Sequence, residues 1–311
     1  MTARKHEMRA LAVVIAIASP AAADPRVLHR CAQVQQLAGD ADAVYGVAAH
    51  HVVRIPRDGG DMVRIADTGT ALDLAVDGVF VDWLANGELH RVTKIGGNDR
   101  VLAKLDDASV LAVDGATIYV RGGSRIIAVR GGAVATVATG IHSRVGAIAV
   151  DATWLYWSEA DHIARVPKAG GKAETIVVDA DPNGSRLLVD ADRIYWAEAG
   201  KIMAAPTRAP GTPVVLAKGK AEIAAIAQDA SHVYWVGQNE VTADDDVLRV
   251  AKQGGAIEPV ALGELGNSGG PMNELVVDAA GVTVATLDGR VLVYAKRGTA
   301  KRPAVKPDRC P

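Results

Sequence analysis

Residues 147–171 read AIAVDATWLYWSEADHIARVPKAGG. A first apolar run ends at Asp151. A second carries Leu155-Tyr156-Trp157. A third ends at Lys168, and Gly170-Gly171 follow. Short runs rich in Val, Ile, Tyr and Trp, broken by Asp and Gly-Gly, read as β-strands joined by tight turns. With Ala173–Val178 as a fourth run, the unit is a four-stranded meander.

The unit recurs. Its Asp stands at Asp40, Asp77, Asp114, Asp151, Asp190, Asp229 and Asp278, at spacings of 37 to 49 residues. Tyr follows five places later at Tyr45, Tyr119, Tyr156, Tyr195 and Tyr234, and Trp six places later at Trp83, Trp157, Trp196 and Trp235. A basic residue and glycines close the third run at Arg57, Lys94, Arg130, Lys168 and Lys252, with the fifth and seventh copies worn there. Three residues before each Asp stands a large apolar residue: Leu37, Leu74, Leu111, Ile148, Leu187, Ile226 or Leu275. A period near 40 with four strands per unit is that of a propeller blade. Each such sheet is apolar on both faces and needs a neighbour on either side, which a closed ring supplies. The expected fold is therefore all-β: a seven-bladed β-propeller of four-stranded antiparallel blades. Every blade is expected in sequence order. A first strand begins near Val34, and Lys301–Lys306 supply the outermost strand of blade seven.

The seven Asp residues are expected to be structural. An Asp before a tight turn accepts hydrogen bonds from backbone amides two residues on. Gly-Gly pairs suit hairpin turns that need positive φ. They are not phosphate loops, because no helix and no Lys-Ser/Thr follow them. The Tyr-Trp pairs are read as packing between blades.

Tyr156-Trp157-Ser158-Glu159 and Tyr195-Trp196-Ala197-Glu198, each with Asp five residues before Tyr, resemble YWTD-type propeller repeats. They are also similar to the secreted propellers of bacteria. Glu stands where that repeat has Asp, and seven copies replace the usual six. The resemblance implies the fold and a protein-binding role. Related ring folds include lactone hydrolases and lyases, with metal or acid–base groups at the central mouth.

Departures from the repeat mark candidate function, because loops on a rigid scaffold carry binding residues. The sixth copy has extra residues over 237–246, with Glu240, Asp244, Asp245 and Asp246, and the connection that follows contains Asn267. These are partner-face candidates. Calcium at the Asp triplet is the one cofactor considered, although no Gly-punctuated loop with a downstream Glu accompanies it. Four residues before each Asp stand Gln36, Asp73, Val110, Ala147, Arg186, Ala225 and Glu274. Of these, Gln36, Asp73, Arg186 and Glu274 are channel-mouth candidates. No Ser–His–Asp order, His-Glu-x-x-His or Cys cluster appears, and no metal site is expected.

The ends of the 311-residue chain add a location. Arg4, Lys5 and Arg9 precede the apolar run Ala10–Ala18 and the small residues Ala21–Ala23. This reads as a signal peptide over residues 1–23, with the propeller over 24–311, exported to the periplasm or beyond. Cys31 and Cys310 are the two cysteines, and an even count in an oxidising compartment argues for a disulfide between them. A net charge of −2 gives no reason to expect nucleic acid, and no later segment is apolar enough to span a membrane. The chain is expected to be monomeric. Two function classes stay open: a scaffold binding a protein or small ligand through the face with the blade-six insertions, or a hydrolase or lyase with a metal or acid–base site at the mouth.

Overall fold

The computed structural model describes residues 25–30, 32–142, 146–182, 186–208, 211–219, 223–238, 245–262, 265 and 274–296. Residues 1–23, Cys31, Cys310, Glu240, Asp244, Asn267 and Lys301–Lys306 lie outside the described residues.

Seven four-stranded antiparallel sheets form the fold. Blade four shows the pattern: an inner strand Ile148–Val150, then Trp154–Ser158, His162–Pro167 and an outer strand Glu174–Val178. Each inner strand touches the next, and that of blade seven (Glu274–Asp278) touches that of blade one (Gln35–Gly39), so the ring is closed. The chain is a seven-bladed β-propeller.

The core lies between blades. All seven residues of the Leu/Ile column, from Leu37 to Leu275, are buried. Neighbouring residues on a strand face opposite sides, so Tyr and Trp of one blade serve two different junctions. Tyr45 joins Trp83 of blade two, Tyr119 joins Trp157 of blade four, Tyr156 joins Trp196 of blade five, and Tyr195 joins Trp235 of blade six.

The turns behave as the spacing implies in most blades. Asp151 Oδ1 accepts the amides of Thr153 (2.7 Å) and Trp154 (2.6 Å), and its Oδ2 accepts the Tyr156 hydroxyl (2.7 Å). Asp40, Asp77, Asp190 and Asp229 bind their turn amides in the same way. In blade three the turn is shorter, Gly115-Ala116, and Asp114 instead accepts Lys168 Nζ of blade four (2.5 Å). Gly170 (φ 84°) and Gly171 (φ 139°) occupy the left-handed region as the hairpin requires.

Closure differs from the sequence expectation. The outer strand of blade seven is Arg26–His29, from the start of the propeller, paired antiparallel with Val291–Tyr294. Blade seven thus draws its fourth strand from the other end of the chain. Residues 301–306, Lys-Arg-Pro-Ala-Val-Lys, are poor strand formers, with Pro303 in their midst. Arg26-Val27-Leu28-His29 instead offers Leu28, buried with Val291 and Val293 in the core between blades seven and one.

Candidate functional site

Inner strands enter from the face that carries the blade connections and end at the Asp turns. The ladder is irregular at their first residues. Register shifts lie between Gln35 and Ala38, Ala71 and Asp73, Ala108 and Val110, and Ile223 and Ala225. Such bulges re-aim side chains at the rim of a sheet. Gln36 sits at one, with φ 55°.

The result is a cavity of about 340 Å³ at the channel mouth. All seven residues of the ring read from the sequence line it: Gln36, Asp73, Val110, Ala147, Arg186, Ala225 and Glu274. Leu72, Ser109, Gly146 and Ile223 to Ile226 complete the wall, which is more apolar than polar in composition.

Three charges meet across the channel. Arg186 Nη2, from blade five, is 3.9 Å from Asp73 Oδ1 of blade two and 3.7 Å from Glu274 Oε2 of blade seven. The Arg186 side chain is half exposed, whereas those of Asp73 and Glu274 are 14% and 23% exposed. Asp73 is also tied to the frame: its Oδ1 accepts the Leu74 amide and its Oδ2 the Leu111 amide of blade three, each at 2.9 Å. Burial pushes its carboxyl above the usual carboxylate range; the Arg186 charge and the two amides oppose this without cancelling it.

The partner-face candidates divide. Asp245 and Asp246 are not on an open loop. They belong to the strand Asp245–Ala251, face Gln238 and Gly237 in the ladder, and are 4% and 6% exposed. The hairpin is longer than the repeat suggested, and the other partner-face candidates, Glu240, Asp244 and Asn267, lie outside the described residues. Among the described residues, no three His, Cys, Asp or Glu side chains gather in a group fit for a metal. His51 and His162 each pair with a nearby Asp, Asp67 (2.7 Å) and Asp161 (2.6 Å), in different blades.

A residue behind the wall was not singled out from the sequence, nor was its neighbour Gly146 in the wall. Arg121, in the second strand of blade three, is 1% exposed, and neither Nη1 nor Nη2 has a hydrogen-bond partner. It packs against Gly146, where any Cβ would overlap its Nη1. The signal is present in the aligned repeats: two places after the Tyr column the other blades carry Val47, Leu84, Ser158, Ala197, Val236 and Ala285. Arg121 is the charged residue of that column.

The Glu of each Tyr-Trp-x-Glu unit has a structural use. Glu159 accepts Trp157 Nε1 (3.1 Å) and the His142 amide (3.0 Å), and Glu198 accepts Trp196 Nε1 (2.9 Å) and the Asp181 amide (3.2 Å). Each pins the connection entering its own blade.

No family model matches the chain, and no curated protein matches it. Solved structures do. The chain is similar to virginiamycin B lyase from Staphylococcus aureus: 14% identity, 86% of this chain and 97% of that one, TM-score 0.66. It is similar to BamB from Moraxella catarrhalis: 16% identity, 87% and 99% coverage, TM-score 0.57. A chain of a nidogen/laminin complex matches at 18% identity over 71% of this chain and 88% of that one, TM-score 0.51. At these identities the likeness is one of fold. Among the described residues, no helix is long and apolar enough to cross a membrane.

Proposed function

We propose that this chain is an exported binding propeller, related in its repeat to the YWTD type, that takes a small polar ligand or the end of a partner chain at the channel mouth on the blade-connection face. The observation that carries the reading is the joint placement of all seven ring residues around one cavity, with Asp73, Glu274 and Arg186 converging on an otherwise mainly apolar wall. Concave, largely apolar sites with a few convergent polar groups are the usual form of a ligand site. Two carboxylates and one guanidinium suit an amine or a zwitterion. Export rests on the basic and apolar segments at Arg4–Ala18.

Acid–base catalysis has less support. Two backbone amides hold the Asp73 carboxyl, a structural use that accounts for it without a reaction.

The test is a thermal-shift panel of small amines and free amino acids on the purified protein, repeated with Glu274→Gln and Arg186→Ala. A saturable shift in the parent that both variants lose supports the reading. A shift that both variants retain, or none across the panel and none with chain-terminal peptides, overturns it.

A further inference from the structure

We propose that the guanidinium of Arg121 holds a small anion in the wall of the channel mouth, at the junction of blades three and four. Arg121 and Tyr119 are two apart on one strand and therefore share the face that packs on blade four. Arg121 is fully buried, and both terminal nitrogens lack partners. A buried cation without partners is costly, and buried charges in folded proteins are paired or hydrogen-bonded. Burial lowers the affinity of this guanidinium for its proton, and the charge of Glu159 only partly offsets that. Glu159 does not satisfy the guanidinium: neither Nη1 nor Nη2 has a hydrogen-bond partner, and Glu159 bonds Trp157 Nε1 and the His142 amide instead.

The site is built by two coupled departures from the repeat. Arg121 replaces an uncharged residue, and Gly146 opposite it leaves room for the guanidinium where a Cβ would overlap it. Gly146 also lines the mouth, as do Ser109 and Val110, and Val110 is the ladder partner of Arg121. The guanidinium thus lies directly behind the cavity wall, and the anion enters from the mouth; only this route rests on the reading of the mouth as a ligand site. Two free nitrogens on a planar fork match the two oxygens of a carboxylate, and a halide fits the same positive charge. Arg121 on blade three adds a cation apart from the cluster of Asp73, Arg186 and Glu274, so a zwitterion has a partner for each end.

The experiment measures the unfolding temperature of the parent, Arg121→Met and Arg121→Lys against acetate and, separately, chloride. Ionic strength is held constant with a bulky sulfonate. The parent should gain stability saturably, Arg121→Lys less, and Arg121→Met not at all. In the sulfonate alone, Arg121→Met should be at least as stable as the parent, since it removes an unpaired charge. Saturation with acetate alone identifies a carboxylate site, and saturation with both identifies a site for small monoanions. Equal responses in the parent and Arg121→Met, or no response in the parent, overturn the proposal. Should Arg121→Met fail to fold, a response in the parent equal to that of Arg121→Lys does the same. Because Glu274 and Arg186 variants report on the mouth and Arg121 variants on the anion, either reading can fail alone.

Discussion

Arg57 of blade one reaches across the seam of the ring to the carboxylate of Asp278 in blade seven. It also donates to Thr283 Oγ1 of blade seven (3.0 Å) and to the Asp40 carbonyl of its own blade (2.7 Å). The same device recurs around the ring: Lys94 binds Asp40 (2.6 Å), Lys168 Asp114 (2.5 Å), Lys252 Asp190 (2.8 Å) and Lys296 Asp229 (3.0 Å). The basic residue that ends one blade's third strand holds the turn Asp of the blade before it. Lys296 fills this role in the seventh copy, one of the two that looked worn.

Arg57 is the most enclosed of these cations, with a side chain 5% exposed. Removing one partner of a buried pair strands the other charge and typically costs about 3–5 kcal/mol. Arg57→Met should therefore lower the denaturant midpoint markedly, and Lys168→Met, whose partner Asp114 is 41% exposed, much less. Equal losses in urea unfolding would show that the seam is not specially dependent on Arg57.

The seam is held a second time by the exchanged strand. Leu28, 6% exposed, should lose about 2–5 kcal/mol as Leu28→Ala. We propose that a Cys31–Cys310 bond adds to this by tying the segment after that strand to the chain's far end. In the loop-entropy model, closing a 100-residue loop contributes about 4.7 kcal/mol. The expected outcome is a lower unfolding temperature after reduction, with no thiol labelled in the unreduced, unfolded protein. Two labelled thiols there would refute the bond.

How much of this could be read in advance depended on distance along the chain. Asp151 binds amides two and three residues away and a tyrosine five away, so its role is written in one short stretch. The ring of mouth residues was legible too, because inner strands repeat in register. The closing strand was not: Val27 pairs with Leu292, and four residues detached from their repeat carry no period. Asp245 and Asp246 looked like loop residues because the repeat set the hairpin length, whereas the strands extend beyond it. Arg121 was hidden among apolar neighbours, and its meaning depends on Gly146 in the next repeat.

The Asp–Tyr pairs set the pH range of stability. Burial alone would raise the carboxyls of Asp40, Asp190 and Asp229, but turn amides and the next blade's lysine outweigh it and hold all three below the usual range. A depressed carboxyl stabilises the fold above its unfolded value of about 4, and that stability is lost as pH falls from there. The tyrosines act oppositely. Burial and the hydrogen bond to Asp229 push the Tyr234 hydroxyl up to about 12, and Tyr156 and Tyr195 shift the same way. Their contribution is complete below about pH 10, where unfolded tyrosine ionises, and declines above it. Asp229→Asn should flatten the acid limb of urea unfolding while leaving the protein folded at neutral pH. Ultraviolet titration should find these three phenols ionising well above pH 10, together with unfolding. Normal titration near pH 10 in a protein that stays folded would contradict the pairing.

Blade two departs from the Tyr column, and the departure has a partner. Asp82 stands where five other blades carry Tyr, fully buried beside Trp83. Its ladder partner is Arg91, which donates Nε to Oδ1 (2.7 Å) and Nη2 to Oδ2 (2.9 Å), and Nη2 also reaches Asp77 (3.2 Å). Phe80 lies under the guanidinium, 4.4 Å from ring centroid to Cζ. Tyr45–Arg54, Tyr156–Arg165 and Tyr234–Arg249 occupy the same ladder positions, so the Arg belongs to the repeat and the Asp replaces a phenol. Asp82→Asn keeps the shape but strips a buried fork of its charge, and should cost about 3–5 kcal/mol. Asp82→Tyr restores the residue that the other blades place opposite Arg, while Arg91 keeps Asp77. It should therefore destabilise less than Asp82→Asn, although it adds volume to a closed core. In a double-mutant cycle with Arg91→Met, Asp82→Asn should show strong coupling and Asp82→Tyr weak coupling. Equal losses for Asn and Tyr, with equal coupling, would mean that the charge pair is not what fits blade two to the ring.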